Sequence, residues 1–186
     1  MAANLRGIHA LGARLESEGV VDNFRRLSGA ATGPRRGLWF TDSDLYKWIE
    51  AATWASATTP ARPETTDLEL RLDEVIDAVI AAQAPDGYLN TAFHSDRFRD
   101  LTTSHELYCA GHLFQAAVAH HRVTGEERLL VCATRLADHL AAEFGPGCRE
   151  QADAHPGVEI GLIELGRETG TSGYLDLARF FVDRVD

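Results

Sequence analysis

Apolar residues return along this chain with a helical period almost throughout. Leu72, Val75, Ile76, Val79 and Ile80 fall at i, i+3, i+4, i+7 and i+8, the buried stripe of an amphipathic helix. The pattern predicts a helix from Thr66 to Gln83, stopped by Pro85-Asp86-Gly87. A second is expected over Ser104–Val123, with Ser104 as its cap and Gly125 at its end. A third covers Glu126–Phe144 and closes on Gly145-Pro146-Gly147. A fourth covers Pro156–Glu168 ahead of Gly170, and a fifth begins at Ser172 and reaches the end. Upstream, Asp42 or Ser43 caps a helix through Trp48 to Ala55, and another holds Val20–Leu27. Beyond short pieces such as Gly37–Phe40 there is no strand alternation.

One internal repeat organises these elements. Arg122-Val-Thr124-Gly125 is followed by Leu130, Ala133 and Asp138, and 45 residues later Arg167-Glu-Thr169-Gly170 is followed by Leu175, Ala178 and Asp183 at the same spacing. That period fits one helical hairpin with its turns, and a Thr-Gly pair suits a helix C-terminus because Gly accepts left-handed backbone. The expected class is all-α, with helical hairpins packed side by side in a single unit spanning residues 1–186. An open solenoid would share the pattern. The chain stops soon after Phe180-Phe181-Val182, an apolar face with no following element to cover it. This suggests a fragment or a shortened gene product, prone to self-association through uncovered hairpin faces.

The 186 residues carry a net charge of -10 with 45% apolar and 25% charged residues. An acidic chain with interleaved Arg disfavours nucleic acid as a partner and is compatible with a neutral carbohydrate. No apolar run reaches membrane-spanning length, and no secretory pattern opens the chain. Cys109, Cys132 and Cys148 are odd in number and widely spaced, which argues against a disulfide framework. A cytoplasmic location is expected.

Four polar segments hold the candidate chemistry. In His105-Glu106-Leu-Tyr108-Cys109-Ala-Gly111-His112, residues 105, 108, 109 and 112 share one helix face. They form either a ligand-facing stripe or a buried polar one. The His-Glu-x-x-His zinc motif fails here because Cys109 occupies the second His position. Pro85-Asp86-Gly87 is a turn, and Tyr88, Asn90 and Phe93 after it suit stacking on a sugar and bonding its hydroxyls, unless Tyr88 packs into the core. Asp42-Ser43-Asp44 precedes Tyr46-Lys47-Trp48, where Trp48 and Trp54 read as packing residues. His155 lies in a loop before Pro156, with Glu159 one turn into the next helix.

Together these segments resemble glycoside hydrolase family 127, the β-L-arabinofuranosidase-like proteins. The resemblance rests on Asp42–Ala51, Pro85–Thr91, His105–His112 and His155–Glu159 in order and spacing, and it extends from about Leu15 onward. It implies an (α/α)6 barrel, of which this chain supplies the first helices, and retaining hydrolysis of terminal β-L-arabinofuranosyl residues. Such enzymes use a zinc-bound cysteine nucleophile, a glutamate and two further cysteines on the metal, and a separate glutamate as acid/base. Two histidines bind sugar hydroxyls, best matched here by His105 and His155, with the Asp42–Asp44 loop bordering the pocket. The expected substrate-binding set is therefore His105, His155, Asp44, Asn90 and Tyr88. Cys109, Cys132 and Cys148 lie outside the family's zinc motif, so no catalytic or metal residue and no cofactor is assigned to this chain, although zinc is expected in a full-length member. A non-catalytic sugar-binding protein, or another helical-barrel lyase or epimerase, are the alternatives.

Overall fold

The computed structural model describes residues 2–59 and 63–184. Its described residues form eight helices: α1 (Ala2–Ser17), α2 (Val20–Leu27), α3 (Asp42–Thr58), α4 (Pro63–Ala81), α5 (Glu106–Thr124), α6 (Arg128–Glu143), α7 (Val158–Thr169) and α8 (Ser172–Val182). The all-α expectation holds, and α2 has the anticipated bounds. Helix α1 is an addition. Leu5 and Leu15 are buried and Ile8 packs beside them, but Gly7 and Gly12 interrupt a narrow stripe and weaken its signal. Gly12 is there for space: a Cβ on it would lie 2.7 Å from the Trp48 ring, whose indole donates to the Ile8 carbonyl at 2.9 Å.

Helices α3, α5 and α7 form one layer, with α5 between the other two. They run parallel. The start of α3 meets the start of α5, where Lys47 donates to the Tyr108 hydroxyl at 2.7 Å. The starts of α5 and α7 meet at Gly111 and Gly161, where a Cβ on Gly161 would stand 2.5 Å from the Gly111 carbonyl oxygen. Only paired glycines allow two helix backbones this close. Helices α4, α6 and α8 each pack against their hairpin partner and, less extensively, against one another. Arg128 at the head of α6 reaches Asp73 and Asp77 of α4, and the Tyr174 hydroxyl of α8 donates to Asp138 of α6 at 2.7 Å. This is a run of hairpins of the kind that builds part of a helical barrel.

The sequence repeat becomes two matching helix ends. Gly125 and Gly170 are both left-handed, with φ of 74° and 70°. In each, the preceding Thr hydroxyl donates back four residues, Thr124 to the His120 carbonyl at 2.7 Å and Thr169 to the Leu165 carbonyl at 2.8 Å.

Several expectations need correction. Phe180 and Phe181 are not left open: Phe181 is fully buried with its ring 5.3 Å from Phe144, and the Arg184 guanidinium lies 3.7 Å over Phe180. Val182 does remain exposed. The final residues 185–186 lie outside the described set. Trp48 is buried as a packing residue, whereas Trp54 is 44% exposed. No helix among the described residues is long and apolar enough to cross a membrane.

Candidate sugar-binding site

The parallel inner layer brings the N-termini of α3, α5 and α7 to one end of the molecule, and the candidate residues gather there. His105 precedes α5 and His155 precedes α7. Their imidazoles stack with centroids 4.9 Å apart and planes 29° from parallel. Tyr108 stands edge-on to this pair, 4.6 Å from His155, and His112 lies 4.6 Å beyond Tyr108 on the same face of α5. Phe40 and the 42%-exposed Trp39 close the other flank, 5.4 and 6.4 Å from His105. Lys47 connects the cluster to Asp44: its ammonium bonds the Tyr108 hydroxyl and lies 3.9 Å from the Asp44 carboxylate. The result is an aromatic floor with imidazole nitrogens, a phenol and an ammonium at its edge. Apolar sugar faces stack on such rings, and hydroxyls bond such nitrogens.

Three of the five proposed binding residues, His105, His155 and Asp44, thus share one region. Tyr88 and Asn90 do not. Tyr88 is 2% exposed, and its hydroxyl donates to the Glu106 carboxylate. The Arg97 guanidinium covers its ring at 4.1 Å. Asn90 is 1% exposed and accepts from the backbone amides of Ala92 and Phe93 at 2.9 and 3.0 Å. In this structure both hold the 83–98 connection: Gly87 adopts φ 90° and Asp86 accepts from the Tyr88 amide at 3.2 Å. The turn reading of Pro-Asp-Gly holds, and the packing alternative for Tyr88 is the one observed. Buried Glu106 also accepts from the Phe98 amide at 2.9 Å, and burial raises its carboxyl above the ordinary range.

The stripe through residues 105–112 divides. His105, Tyr108 and His112 form the aromatic row, whereas Cys109 turns inward, buried, 3.6 Å from the Phe40 carbonyl. Burial pushes His112 down to about 4, helped by the nearby Lys47 and His155 charges, so its ring is neutral at neutral pH.

The caps are not those expected. Neither Asp42 nor Ser43 caps α3. Thr41 stands at that position, but its hydroxyl donates back to the Leu38 carbonyl at 2.5 Å and caps no amide, and buried Asp42 accepts from the Thr91 amide at 2.7 Å and from its hydroxyl. Burial raises the Asp42 carboxyl despite these donors. Ser104 does not cap α5 either. The cap position belongs to His105, held at φ 55°, a region costly for a residue with a Cβ. The acceptor comes from far along the chain, because Asp153 takes the Leu107 and Tyr108 amides at 3.1 and 3.2 Å. Asp153 was not singled out in the sequence. The usable signal is an Asp two residues before His155-Pro156, the signature of an Asx turn.

The described cysteines do not fit the thiolate zinc site implied by the resemblance. Metal-binding thiolates are accessible and have lowered pKa values. Burial instead raises Cys109 well above its ordinary value and Cys132 to about 12, and among the described residues exposed Cys148 joins no group with ligand-like spacing. Among the described residues, Asp73, His120 and Glu126 have ligand-like spacing. There, however, the Arg128 guanidinium already bridges Asp73 and Glu126, at 3.1 Å from each.

Comparison with known proteins shows the family of this chain. The sequence model of the β-L-arabinofuranosidase, GH127 catalytic domain matches residues 8–186. A non-reducing end β-L-arabinofuranosidase of Bifidobacterium longum subsp. longum is 39% identical over 174 residues, which cover 88% of this chain and 26% of the relative. The crystal structure of a GH127 β-L-arabinofuranosidase from Geobacillus stearothermophilus T6 superposes with a TM-score of 0.84 at 39% identity, over 89% of this chain and 26% of the other. A second GH127 β-arabinofuranosidase structure gives 0.84 at 33% identity, over 95% and 30%. The chain therefore spans between a quarter and a third of the length of these relatives. With nearly every residue inside the matched domain and the parallel-helix layer shared, the chain belongs to glycoside hydrolase family 127.

Proposed function

We propose that this chain supplies one wall of a glycosidase pocket that grips a terminal β-L-arabinofuranosyl residue, with His105 and His155 binding its hydroxyls. The observation that carries this reading is the stacked imidazole pair at the converging ends of α5 and α7. Ring nitrogens suit the hydroxyls of a diol edge; in His105 the Nδ1 already bonds the Thr103 carbonyl at 2.8 Å, which leaves its Nε2 for the sugar. Exposed Trp39 and partly buried Phe40 supply apolar surface for a ring face. Asp44, exposed beside Lys47, provides a polar rim.

Hydrolysis with retention needs a nucleophile and a proton donor on opposite sides of one sugar. Around the imidazole pair, Asp153 is buried and committed to backbone amides, and the Cys109 thiol faces the core. The 186-residue chain is thus proposed to recognise the sugar without turning it over. β-L-arabinofuranosidase activity is named for the longer relatives and comes to this chain only as part of this proposal.

The test is saturation-transfer NMR on the purified chain with methyl β-L-arabinofuranoside and the matching pyranoside. Transfer to the furanoside is expected, with little to the pyranoside, and with loss in His105→Ala and His155→Ala but not in His94→Ala. Equal transfer to both sugars, or a signal indifferent to both histidine changes, refutes the reading. So does hydrolysis by this chain alone at a rate typical of glycosidases.

A further inference from the structure

The stacked pair is held by a residue that contacts neither ring. Asp153 is 5% exposed and bonds in two directions. One carboxylate oxygen accepts the Leu107 and Tyr108 amides at the start of α5, two and three residues beyond His105. The other accepts the His155 amide at 3.0 Å. The adjacent Ala154 amide donates to the Leu101 carbonyl at 3.1 Å, closing the 153–155 turn against the segment that leads into His105. We infer that Asp153 is a positioning residue that sets the spacing of His105 and His155 by tying both backbone segments to one buried carboxylate.

The arrangement explains two otherwise unconnected features. His105 sits at positive φ without glycine's freedom, so something outside α5 must compensate; a carboxylate on the first free amides of that helix does so. His155 lies in an exposed loop that would otherwise leave its ring free to move. An Asp is suited to the task because both oxygens only accept, and all three partners are N–H donors. Asn offers one oxygen and one NH2. Its oxygen will remain with the two α5 amides, where the helix end is most positive, leaving the NH2 facing the His155 amide, donor against donor. Asp153→Asn should therefore free His155 while α5 keeps its cap. The inference rests on the pair being the sugar grip, but the spacing itself is measurable without a sugar.

The experiment uses the labelled full chain. In the unmodified protein, a ring-to-ring nuclear Overhauser effect between His105 and His155 is expected. In Asp153→Asn that contact should be lost, and furanoside transfer with it, while the Trp48 indole N–H resonance and cooperative unfolding persist. A carboxylate that merely stabilised the fold would not release one imidazole selectively. Retention of the ring contact in Asp153→Asn overturns the inference. Where the variant does not fold, native-state hydrogen exchange on the unmodified chain decides: the His155, Leu107 and Tyr108 amides should open together with equal protection. A His155 amide that exchanges at the unfolded rate while the other two stay protected overturns it. If the ring contact depends on Asp153 as described but no furanoside binds the unmodified chain, the positioning role stands and the sugar reading fails.

Discussion

Replacing Gly111 with alanine should destabilise the protein, although alanine is the better helix former. Gly111 lies inside α5 against the start of α7. A Cβ there would stand 2.7 Å from the Gly157 carbonyl carbon, 2.8 Å from the Val158 Cα, and closer still to the Gly157 oxygen. All three neighbours are backbone, so no rotamer change can make room. Restoring ordinary contact requires α7 to withdraw by roughly 1 Å, against the usual 3.5 to 4 Å carbon separation. Helix propensity favours Ala by about 1 kcal/mol, whereas overpacking a close-packed site costs about 1–3 kcal/mol and lies at the upper end where nothing yields. The net loss is about 1–2 kcal/mol, which for a chain of this size lowers Tm by about 2–8 °C. Gly7→Ala is the matched control. It is the same chemical change inside α1 with nothing within 4 Å of the new Cβ, so it should gain up to about 1 kcal/mol. Urea unfolding of the three proteins at equal m measures both. A Gly111→Ala protein as stable as the parent, or no difference in sign between the two variants, refutes the close-crossing account.

Further outcomes can be checked directly. In native buffer one thiol, Cys148, should react with Ellman's reagent and all three should react after unfolding, because Cys109 and Cys132 are buried with raised pKa values; three fast thiols in the native protein would contradict this. His112 should titrate by NMR near 4 rather than 6.5. Between those values the unfolded chain takes the proton first, so this group makes stability fall as pH drops through that window, and a His112 midpoint near 6.5 would remove the effect. Tyr88→Phe should cost about 1–2 kcal/mol in urea unfolding, because it leaves buried Glu106 one donor short, and an unchanged midpoint would show that bond to be dispensable.

What the sequence settled by itself is local or repeated. The 3.6-residue stripe of α4, the bounds of α2, the left-handed ends at Gly125 and Gly170, and the Pro85-Asp86-Gly87 turn were all legible. Each depends on residues within one or two turns, where side-chain period and backbone sterics act directly. As candidates, His105 and His155 could be picked out from their segments. That they stack at 4.9 Å could not, because it depends on α5 and α7 lying parallel and on a glycine crossing between them.

The errors share a cause. Ser104, Ser43 and Asp42 have the right residue types for caps, but a cap is decided by which acceptor reaches the free amides. For α5 that acceptor is Asp153, 46 residues beyond Leu107, while Asp42 is drawn to Thr91, 49 residues away. Tyr88 is turned inward by its bond to Glu106, and the Asn90 carbonyl oxygen is taken by the amides of its own loop. Helix identity follows from short-range periodicity. Which polar groups face a ligand follows from long-range hydrogen-bond competition, and only the assembled tertiary structure decides that.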